Sequence, residues 1–427
     1  MPATLTQTTL NTPTLHKLDN GLTIVAEQMP VDAINLNIWL NVGSINEANE
    51  INGMAHFLEH MVFKGTPKLE SGEFERAIEE RGATTNAATS QEYTHYYITT
   101  APKDFADLAP LQLEVVLNPN IADRPFERER LVVLEEIRRS QDNPSRRTYT
   151  RAMETCFQRL PYRRPVLGSA EIIENLSSEQ MRGFHRHWYA PENMTAAVVG
   201  NLPVEELLEI VSEACDRAYA HHPDSSAPTP PSFQPEPIFE DIVRCEEQDD
   251  HLHQSRLVML WRVPGKEELA TTDALDVLAA ILGQGRMSRL FRDLREDRKL
   301  VSSIGTSNIT QGIQGVFYIA AQLPAENIAE VESIILAHLQ RFQAEPVDPW
   351  ELSRIRAQVA NRFIFANERP SDRANLYGYY QSQMGTLTPA LTYPDRLRAI
   401  EAEDIQNVAK QYLNPKAYGV VVMRGKN

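Results

Sequence analysis

The stretch GMAHFLEHMVFKGT, residues 53–66, contains His56, Glu59 and His60 within an otherwise apolar segment. On a helix, residues four apart lie about 40° from each other around the axis, so both imidazoles project from one face with Glu59 beside them. Apolar residues nearly all round predict that this helix is buried. Polar groups buried without partners cost about 2–7 kcal/mol each. A bound metal ion would satisfy all three.

A second segment offers a further metal ligand. Two imidazoles and one carboxylate from elsewhere make the open coordination sphere that is typical of catalytic zinc. In FERERLVVLEEIRRSQDNP, residues 126–144, Glu129 and Glu136 lie two helical turns apart and share a face. Glu135 lies about 100° away from Glu136 around the axis. Such a Glu/Arg run is also typical of a solvated helix face, so the spacing alone leaves the third ligand open.

His56-Phe57-Leu58-Glu59-His60 resembles the inverted HxxEH motif of the zinc peptidase family that includes pitrilysin, insulin-degrading enzyme and the mitochondrial processing peptidase. The resemblance implies one Zn²⁺ per chain, held by His56, His60 and Glu136. It implies that Glu59 is the catalytic base and that Glu129 supports the site. Metal content would decide among Glu136, Glu135 and Glu129.

The resemblance extends to substrate residues in both halves. GATTNAATSQEYTHYYI, residues 82–98, is similar to the family's substrate-facing edge strand, which implies that Asn86 and Ala87 contact the peptide. RPSDRANLYGYYQ, residues 369–381, carries an Arg and a Tyr at the family's spacing, Arg373 and Tyr380. These two are expected to grip the substrate backbone and to stabilise the oxyanion. Neighbouring Tyr377 and Tyr379 leave that register open.

The organisation of the chain predicts two domains. HHPDSSAPTPPSFQPEP, residues 221–237, has six prolines and is typical of an extended linker. It separates a zinc-bearing domain, 1–220, from a pseudo-repeat, 238–427, and strand, helix, helix, strand occurs in both. The expected fold class is α+β, with two homologous domains, each a mostly antiparallel sheet covered by helices. The resemblance makes the pair half of a clamshell chamber.

The second copy is expected to bind no metal. Aligning Gly65 with Gly283 puts Ala274, Val277 and Leu278 where His56, Glu59 and His60 stand in the first copy. None of these apolar side chains binds zinc or takes up a proton. The metal site is therefore expected in the first domain only.

Bulk properties restrict the partners and the compartment. A net charge of −16 argues against a nucleic-acid partner, which requires phosphates to be neutralised by Lys and Arg. Three scattered cysteines without a CxxC indicate a reducing compartment rather than a disulfide framework. No secretory signal is recognisable, and no apolar run approaches the roughly 20 residues that span a bilayer. The expectation is a soluble, cytoplasmic protein with no membrane partner.

The sequence thus predicts a zinc metalloendopeptidase that hydrolyses unfolded peptides inside a homodimeric chamber. One alternative is a processing-peptidase subunit that is active only as a heterodimer with a related chain. A second is a catalytically silent structural homologue, and a third is a purely structural metal site with a closed coordination sphere.

Overall fold

The computed structural model describes residues 12–219 and 231–425. Most of the predicted linker, residues 221–230, lies outside the described residues, and 231–237 have no regular secondary structure. The strands of the described part are β1 (Thr14–Lys17), β2 (Thr23–Gln28), β3 (Ile34–Leu40), β4 (Thr84–Thr89), β5 (Thr94–Thr100), β6 (Met194–Gly200), β7 (Val243–Gln248), β8 (Ser255–Pro264), β9 (Ser303–Ile309), β10 (Gln314–Leu323) and β11 (Gly419–Arg424).

The helices occupy most of the chain between these strands. They are α1 (Met54–Val62), α2 (Glu73–Glu80), α3 (Phe105–Leu117), α4 (Asp123–Asp142), α5 (Pro144–Cys156), α6 (Ala170–Asn175), α7 (Ser178–Trp188), α8 (Val204–Tyr219), α9 (Leu269–Gly283), α10 (Ile328–Ala344), α11 (Pro349–Phe365), α12 (Pro370–Met384), α13 (Thr388–Ala399) and α14 (Ala402–Tyr412). A π-helical segment spans Phe291–Asp297. Among the described helices, none combines the length and the apolar character needed to cross a membrane.

The first sheet has the strand order β1-β2-β6-β3-β5-β4, with every neighbouring pair antiparallel except β2 and β6. Alternate residues of a strand point to opposite faces. Leu36, Ile38 and Leu40 of β3 accordingly enter the core that also contains the apolar residues of α1. Asn35, Asn37 and Trp39 point to the other face. The chain therefore buries its metal-motif helix against one face of this sheet.

The second sheet repeats this topology. Its order is β7-β11-β8-β10-β9, and its single parallel pair, β7 with β11, corresponds to β2 with β6. A separate core of α9, α10 and α14 residues covers one face. The expected α+β class, with two domains built on mostly antiparallel sheets, is therefore the observed fold.

The two compact units are not the contiguous segments 1–220 and 238–427 that the sequence led us to expect. The first unit contains residues 1–138, 165–231 and 364–391, and the second contains 139–164, 232–363 and 392–427. Helix α12, from the second half of the chain, packs Ala374 and Tyr377 against Val25 and Val199 of the first sheet. Helix α5, from the first half, likewise packs on β8 and β11. Each sheet needs cover on both faces, and each takes one helix from the other half.

Candidate metal centre

Helix α1 is fixed at its N-terminus by a buried carboxylate. Glu47 accepts hydrogen bonds from the backbone N–H groups of Gly53 and Ala55 and from the side chain of Asn52, all at 2.8 Å. Gly53 has a φ of +100°, and a Cβ there would lie 2.6 Å from the carbonyl oxygen of Leu167. Only glycine fits this entry into the helix. The clamp holds the helix that carries His56, Glu59 and His60 in one position.

His56, His60 and Glu136 converge as the sequence predicted. Nε2 of His56 lies 3.5 Å and Nε2 of His60 lies 3.6 Å from Oε2 of Glu136. One ligand atom from each residue lies within 4.8 Å of the other two. Atoms bound to one tetrahedral zinc ion at about 2.0–2.2 Å are separated from each other by about 3.3–3.6 Å. The observed separations match those around a metal ion and are too long for direct hydrogen bonds.

Glu129 orients one of the imidazoles. Its Oε1 lies 3.0 Å from Nδ1 of His60, and its Oε2 lies 2.9 Å from Nζ of Lys64. Burial alone would raise the pKa of Glu129, but its hydrogen bonds to His60 and Lys64 outweigh that effect and lower it. An ionised Glu129 accepts the Nδ1–H of His60, which leaves the Nε2 lone pair facing Glu136. Metal-binding histidines usually donate the N–H of their other ring nitrogen to a partner such as this carboxylate.

The electrostatics of the cluster favour a cation. Burial would lower the pKa of His60, but the neighbouring carboxylates of Glu129 and Glu136 outweigh it and raise the pKa to about 9. A metal ion would supply the same positive charge between the same oxygen and nitrogen atoms. Two imidazoles and one carboxylate are a donor set typical of catalytic zinc, with a coordination position left for water. The residues therefore fit the predicted ion.

Glu59 lies in the same helix but is held by a different partner. Its Oε2 accepts a hydrogen bond of 2.5 Å from the hydroxyl of Thr89, the last residue of β4. Burial raises the pKa of Glu59, and the hydrogen bonds from Thr89 and the nearby His60 moderate the rise. A partly buried carboxylate with a raised pKa beside a metal site is suited to take up and return a proton.

The neighbouring glutamates of α4 differ in their contacts. Glu135 forms an exposed ion pair of 2.8 Å with Arg138, one helical turn along α4. Glu136 faces His56 and His60, and its side chain is 36% exposed. Of the described residues, this trio is the group of His, Cys, Asp and Glu side chains that could hold a metal.

Asn86 and Ala87 lie on the edge strand next to α1. Strand β4 is last in the order of the first sheet, so one of its edges has no neighbouring strand among the described residues. The side chain of Asn86 accepts a hydrogen bond of 2.9 Å from the backbone N–H of Ala87. Ala87 points to the face of α1, whereas Asn86 points to the opposite face. An open edge beside the metal cluster is suited to pair with an extended peptide.

Arg373 has buried partners within its own unit, and its expected substrate role stays a prediction. Its guanidinium is buried and pairs with Glu27 at 3.0 and 3.1 Å, while its Nε donates to the carbonyl oxygen of Asn367. The hydroxyl of Tyr377 donates to the same Glu27 carboxylate at 2.7 Å. These contacts anchor α12 to β2 and leave the guanidinium little capacity to grip a substrate. Tyr380 is half-buried, with its ring 5.3 Å from that of Tyr379, and its substrate role stays a prediction.

The matching helix of the second unit has no such cluster. Ala274, Val277 and Leu278 of α9 are at most 1% exposed and belong to the second core. The only acids of α9 are Asp273 and Asp276, and neither belongs to the metal-compatible trio found among the described residues. Apolar packing therefore occupies the positions of α9 that correspond to His56, Glu59 and His60 of α1.

Three residues around the site were missed by the sequence reasoning. Glu47 and Lys64 flank the motif closely, but their partners depend on chain folding and no spacing rule identifies them. Thr89 lies within the edge-strand segment, residues 82–98. Its position three residues after Asn86 was the only sequence signal for a role at the site. The contacts of Lys64 with Glu129 and of Thr89 with Glu59 join segments that are distant in sequence, whereas Glu47 contacts residues five to eight positions along the chain.

Comparisons with known proteins agree with this geometry. The description "Insulinase (Peptidase family M16)" matches residues 23–170, and "Peptidase M16 inactive domain" matches residues 175–359. A zinc protease of Helicobacter pylori, PqqE, is 28% identical over 404 residues, which cover 92% of this chain and 89% of that protein. An uncharacterised zinc protease of Mycobacterium tuberculosis is 28% identical over 414 residues, covering 96% and 93%.

Solved structures share the fold. The crystal structure of a protease from Helicobacter pylori superposes with a TM-score of 0.89 at 26% identity and covers 96% of this chain and 99% of its own. A peptidase M16 inactive domain from Pseudomonas fluorescens gives a TM-score of 0.86 at 18% identity, covering 97% and 98%. A chain of complex III2 from Candida albicans gives 0.79 at 16% identity, covering 96% and 95%. The last two likenesses bear on the fold alone.

Proposed function

The chain belongs to peptidase family M16, and from that premise we propose that it is a zinc-dependent endopeptidase that hydrolyses unfolded peptides. One observation carries the proposal: the ligand atoms of His56, His60 and Glu136 lie within 4.8 Å of one another on the helix pair that also carries Glu59. A structural metal site would close its coordination sphere with a fourth protein ligand. The three-residue set leaves that position to water or substrate.

The residues have distinct roles in this proposal. His56, His60 and Glu136 would hold zinc, which would act as a Lewis acid and lower the pKa of water towards 7. Glu59 takes a proton from the attacking water and returns it to the leaving amine nitrogen, so no covalent intermediate with the enzyme is needed. Glu129 orients His60 through its Nδ1–H.

The substrate is an extended peptide. Pairing along the open edge of β4 uses main-chain hydrogen bonds, which any unfolded sequence can supply. Asn86 and Ala87 contact that peptide, and the Ala87 N–H becomes available once the Asn86 side chain releases it. The net charge of −16 disfavours acidic partners such as nucleic acids.

We extend the proposal to a homodimer. Two copies enclose the peptide in a chamber, and Tyr380 of one copy donates a hydrogen bond to the oxyanion formed in the other. Arg373 anchors the helix that carries this tyrosine. Three free cysteines, of which Cys156 and Cys215 are buried, are consistent with a cytoplasmic location.

Metal analysis combined with peptide digestion tests the proposal. We expect the dialysed chain to retain one zinc, to cut an unfolded peptide, and to lose that activity with a chelator. Light scattering measures the expected dimer independently. Zinc without cleavage by the pure chain, but with cleavage after a related subunit is added, would favour the heterodimeric processing peptidase. Zinc without cleavage under either condition would leave a silent homologue.

A further inference from the structure

Glu47 connects the start of helix α1 to the loop that precedes it. The residue is 5% exposed, and both of its carboxylate oxygens are used. Oε2 accepts hydrogen bonds from the backbone N–H of Gly53 and from the side chain of Asn52, and Oε1 accepts one from the backbone N–H of Ala55, each at 2.8 Å. Because two oxygens hold two points of the first turn, this turn cannot shift without breaking one of these bonds. His56 is the next residue of the helix.

The loop that carries Glu47 is itself attached to the turn between β4 and β5. The backbone N–H of Ser44 donates to the carbonyl oxygen of Ser90 at 3.2 Å. The backbone N–H of Ile45 donates to the carbonyl oxygen of Gln91 at 2.8 Å, and the hydroxyl of Ser44 donates to the Gln91 side chain at 2.7 Å. Ser90 directly follows the last residue of β4. Glu47 therefore links the N-terminus of α1 to the end of the edge strand.

The second unit retains the loop attachment but not the clamp. After β8, the backbone N–H of Lys266 donates at 2.9 Å to the carbonyl oxygen of Gln311, which lies in the turn between β9 and β10. Helix α9 then begins after Glu268, whose side chain makes no capping hydrogen bond within the described residues. The architecture therefore forms without a carboxylate clamp at this helix. The clamp is present in the copy that has the histidine cluster, and the fold does not require it.

The first turn of α1 is where such a clamp affects metal binding most. The first N–H groups of a helix have no partner within the helix, so its ends fray. His56 lies in that first turn, and its imidazole must face Glu136 for the ligands to converge. If the turn moves, only a fraction of the molecules hold the ligands in the binding position. The apparent affinity for the ion then falls in proportion to that fraction.

We propose that Glu47 is a positioning residue for the metal centre, which fixes the first turn of α1 and thereby keeps the imidazole of His56 directed at Glu136. The inference rests on the proposed function, since it assumes that the cluster binds zinc. Glu47 acts through the backbone of α1, because two of the three donors that it holds are the backbone N–H groups of Gly53 and Ala55. It preorganises the ligands before the ion binds.

Zinc affinity of the full chain tests the proposal without peptide cleavage. Glu47→Gln keeps the size of the side chain, but its NH₂ group faces a backbone N–H donor instead of accepting from it. We expect the zinc affinity, measured by competition with a chelator, to fall about tenfold. Because a bound ion itself orders the ligands, peptide cleavage at saturating zinc should stay within about twofold of that of the unmodified chain. Unchanged zinc affinity would overturn the proposal.

Glu236 of the second unit provides the matched control. It is 4% exposed, and its carboxylate accepts hydrogen bonds of 2.7–3.1 Å from the backbone N–H groups of Gln158, Arg159 and Leu160. Glu236→Gln therefore disrupts an equivalent buried clamp in the other unit. We expect it to lower the unfolding temperature, as Glu47→Gln does, and to leave zinc affinity unchanged. An equal loss of zinc affinity in both variants would indicate general loosening and would overturn the proposal.

Asn52→Ala is a milder change that keeps the Glu47 carboxylate and both of its backbone hydrogen bonds. It removes one of the three donors, and we expect zinc affinity to fall about threefold. If Glu47→Gln does not fold, this variant decides the question. An affinity equal to that of the unmodified chain then overturns the positioning role.

The two hypotheses fail in different ways. If Glu47→Gln weakens zinc binding but the zinc-loaded unmodified chain cuts no peptide, the proposed hydrolysis is wrong and the positioning role stands. If the unmodified chain binds zinc and cuts peptides while Glu47→Gln binds zinc equally well, the positioning role is wrong and the peptidase stands. An unmodified chain that binds no zinc would overturn both.

Discussion

Helices α1 and α9 occupy matching places in the two units, and each carries a partly buried carboxylate whose pKa is raised by loss of solvent. In α9 this is Asp276, whose oxygens accept hydrogen bonds from Asn308 at 2.9 Å and from Tyr393 at 3.0 Å. In α1 it is Glu59, for which Thr89 supplies every hydrogen bond that the structure gives. Two side chains donate hydrogen bonds to Asp276, one to each oxygen, whereas Glu59 has Thr89 as its donor and keeps capacity for a further partner beside the metal cluster.

The comparison separates what the fold requires from what the function requires. The five strands of the second sheet repeat the order β2-β6-β3-β5-β4 of the first, although the counterpart positions in α9 hold Ala274, Val277 and Leu278. An apolar helix therefore suffices to build this architecture. His56, Glu59 and His60 add burial costs that the fold does not need. Residues that oppose good packing are expected at positions where the side chains serve a function.

The largest expected effect is on catalysis by the α1 carboxylate. Glu59→Gln preserves shape and the acceptor for Thr89 but cannot take up a proton. We expect peptide cleavage to fall about 10²–10⁴-fold, with zinc content unchanged. Steady-state kinetics and metal analysis on the same preparation measure both quantities. Glu135→Gln, on the exposed side of α4, is the matched control and should cleave normally. Full activity in Glu59→Gln would remove the proposed base.

The carboxylate of α9 should instead affect stability. Burial raises the pKa of Asp276 to about 6, and the nearby Asp273, itself paired with Arg396, adds to the rise. The folded state thus favours the protonated form, so this contribution is present below pH 4 and is lost as the pH rises to about 6. The Asp276→Asn side chain cannot ionise, so the variant does not lose this stabilisation. At neutral pH its free energy of unfolding should exceed that of the unmodified protein by about 3 kcal/mol.

Thermal or urea unfolding at several pH values measures this difference. Asp273→Asn is the informative control, because it leaves the guanidinium of Arg396 without its carboxylate and should destabilise the protein. A difference between Asp276→Asn and the unmodified protein that does not change from pH 4 to pH 7 would show that Asp276 does not titrate as described. Loss of peptidase activity in Asp276→Asn would show that this carboxylate affects catalysis as well as stability, contrary to the distinction from Glu59.

Much of the fold followed from local sequence patterns. The strand at Ile34, the apolar helix around His56 and their counterparts near Ser255 and Ala274 each carry a clear hydrophobic period. The exchange of α5 and α12 between the two units was not predictable in this way. Each helix belongs to one half of the sequence but packs on the sheet built from the other half. Only the open apolar face of that sheet explains where the helix packs.

The site was predictable to the extent that helix periodicity and the family resemblance constrain it. The spacing of Glu129 and Glu136 put them on one face, and the structure directs that face towards His56 and His60. The buried contacts of Arg373 were not predictable, because a seven-residue spacing to Tyr380 indicates a shared helix face but not what that face contacts. The buried partner, Glu27, is more than three hundred residues away and carries no local signal.

Substitution of Glu129, which supports the metal ligand His60, should have a smaller effect. Glu129→Gln removes the charge that accepts the Nδ1–H of His60 and pairs with Lys64. We expect zinc affinity to fall about 10–100-fold, measured by competition with a chelator. Lys64→Met should weaken zinc binding in the same direction by less. Glu127→Gln, at an exposed position of the same helix that pairs with Arg130, is the control. Unchanged zinc affinity in Glu129→Gln would show that Glu129 does not support metal binding.

The smallest expected effect concerns the single residue that holds Glu59. Thr89→Val keeps the volume of the side chain but removes the hydroxyl, so the carboxylate loses its fixed orientation. We expect kcat to fall about tenfold, with KM and zinc content unchanged, because one positioning hydrogen bond is lost. Thr89→Ser restores the hydroxyl and should recover most of the rate.

A control on the same strand distinguishes positioning from general loosening of β4. The hydroxyl of Thr85 points to the same face and donates to the carbonyl oxygen of Tyr97 at 3.1 Å. Thr85→Val therefore removes an equivalent hydrogen bond without touching Glu59. If Thr85→Val lowers kcat as much as Thr89→Val, the effect belongs to the strand and not to the base. If only Thr89→Val does so, the α1 carboxylate differs from its α9 counterpart through one hydroxyl contributed by the substrate strand.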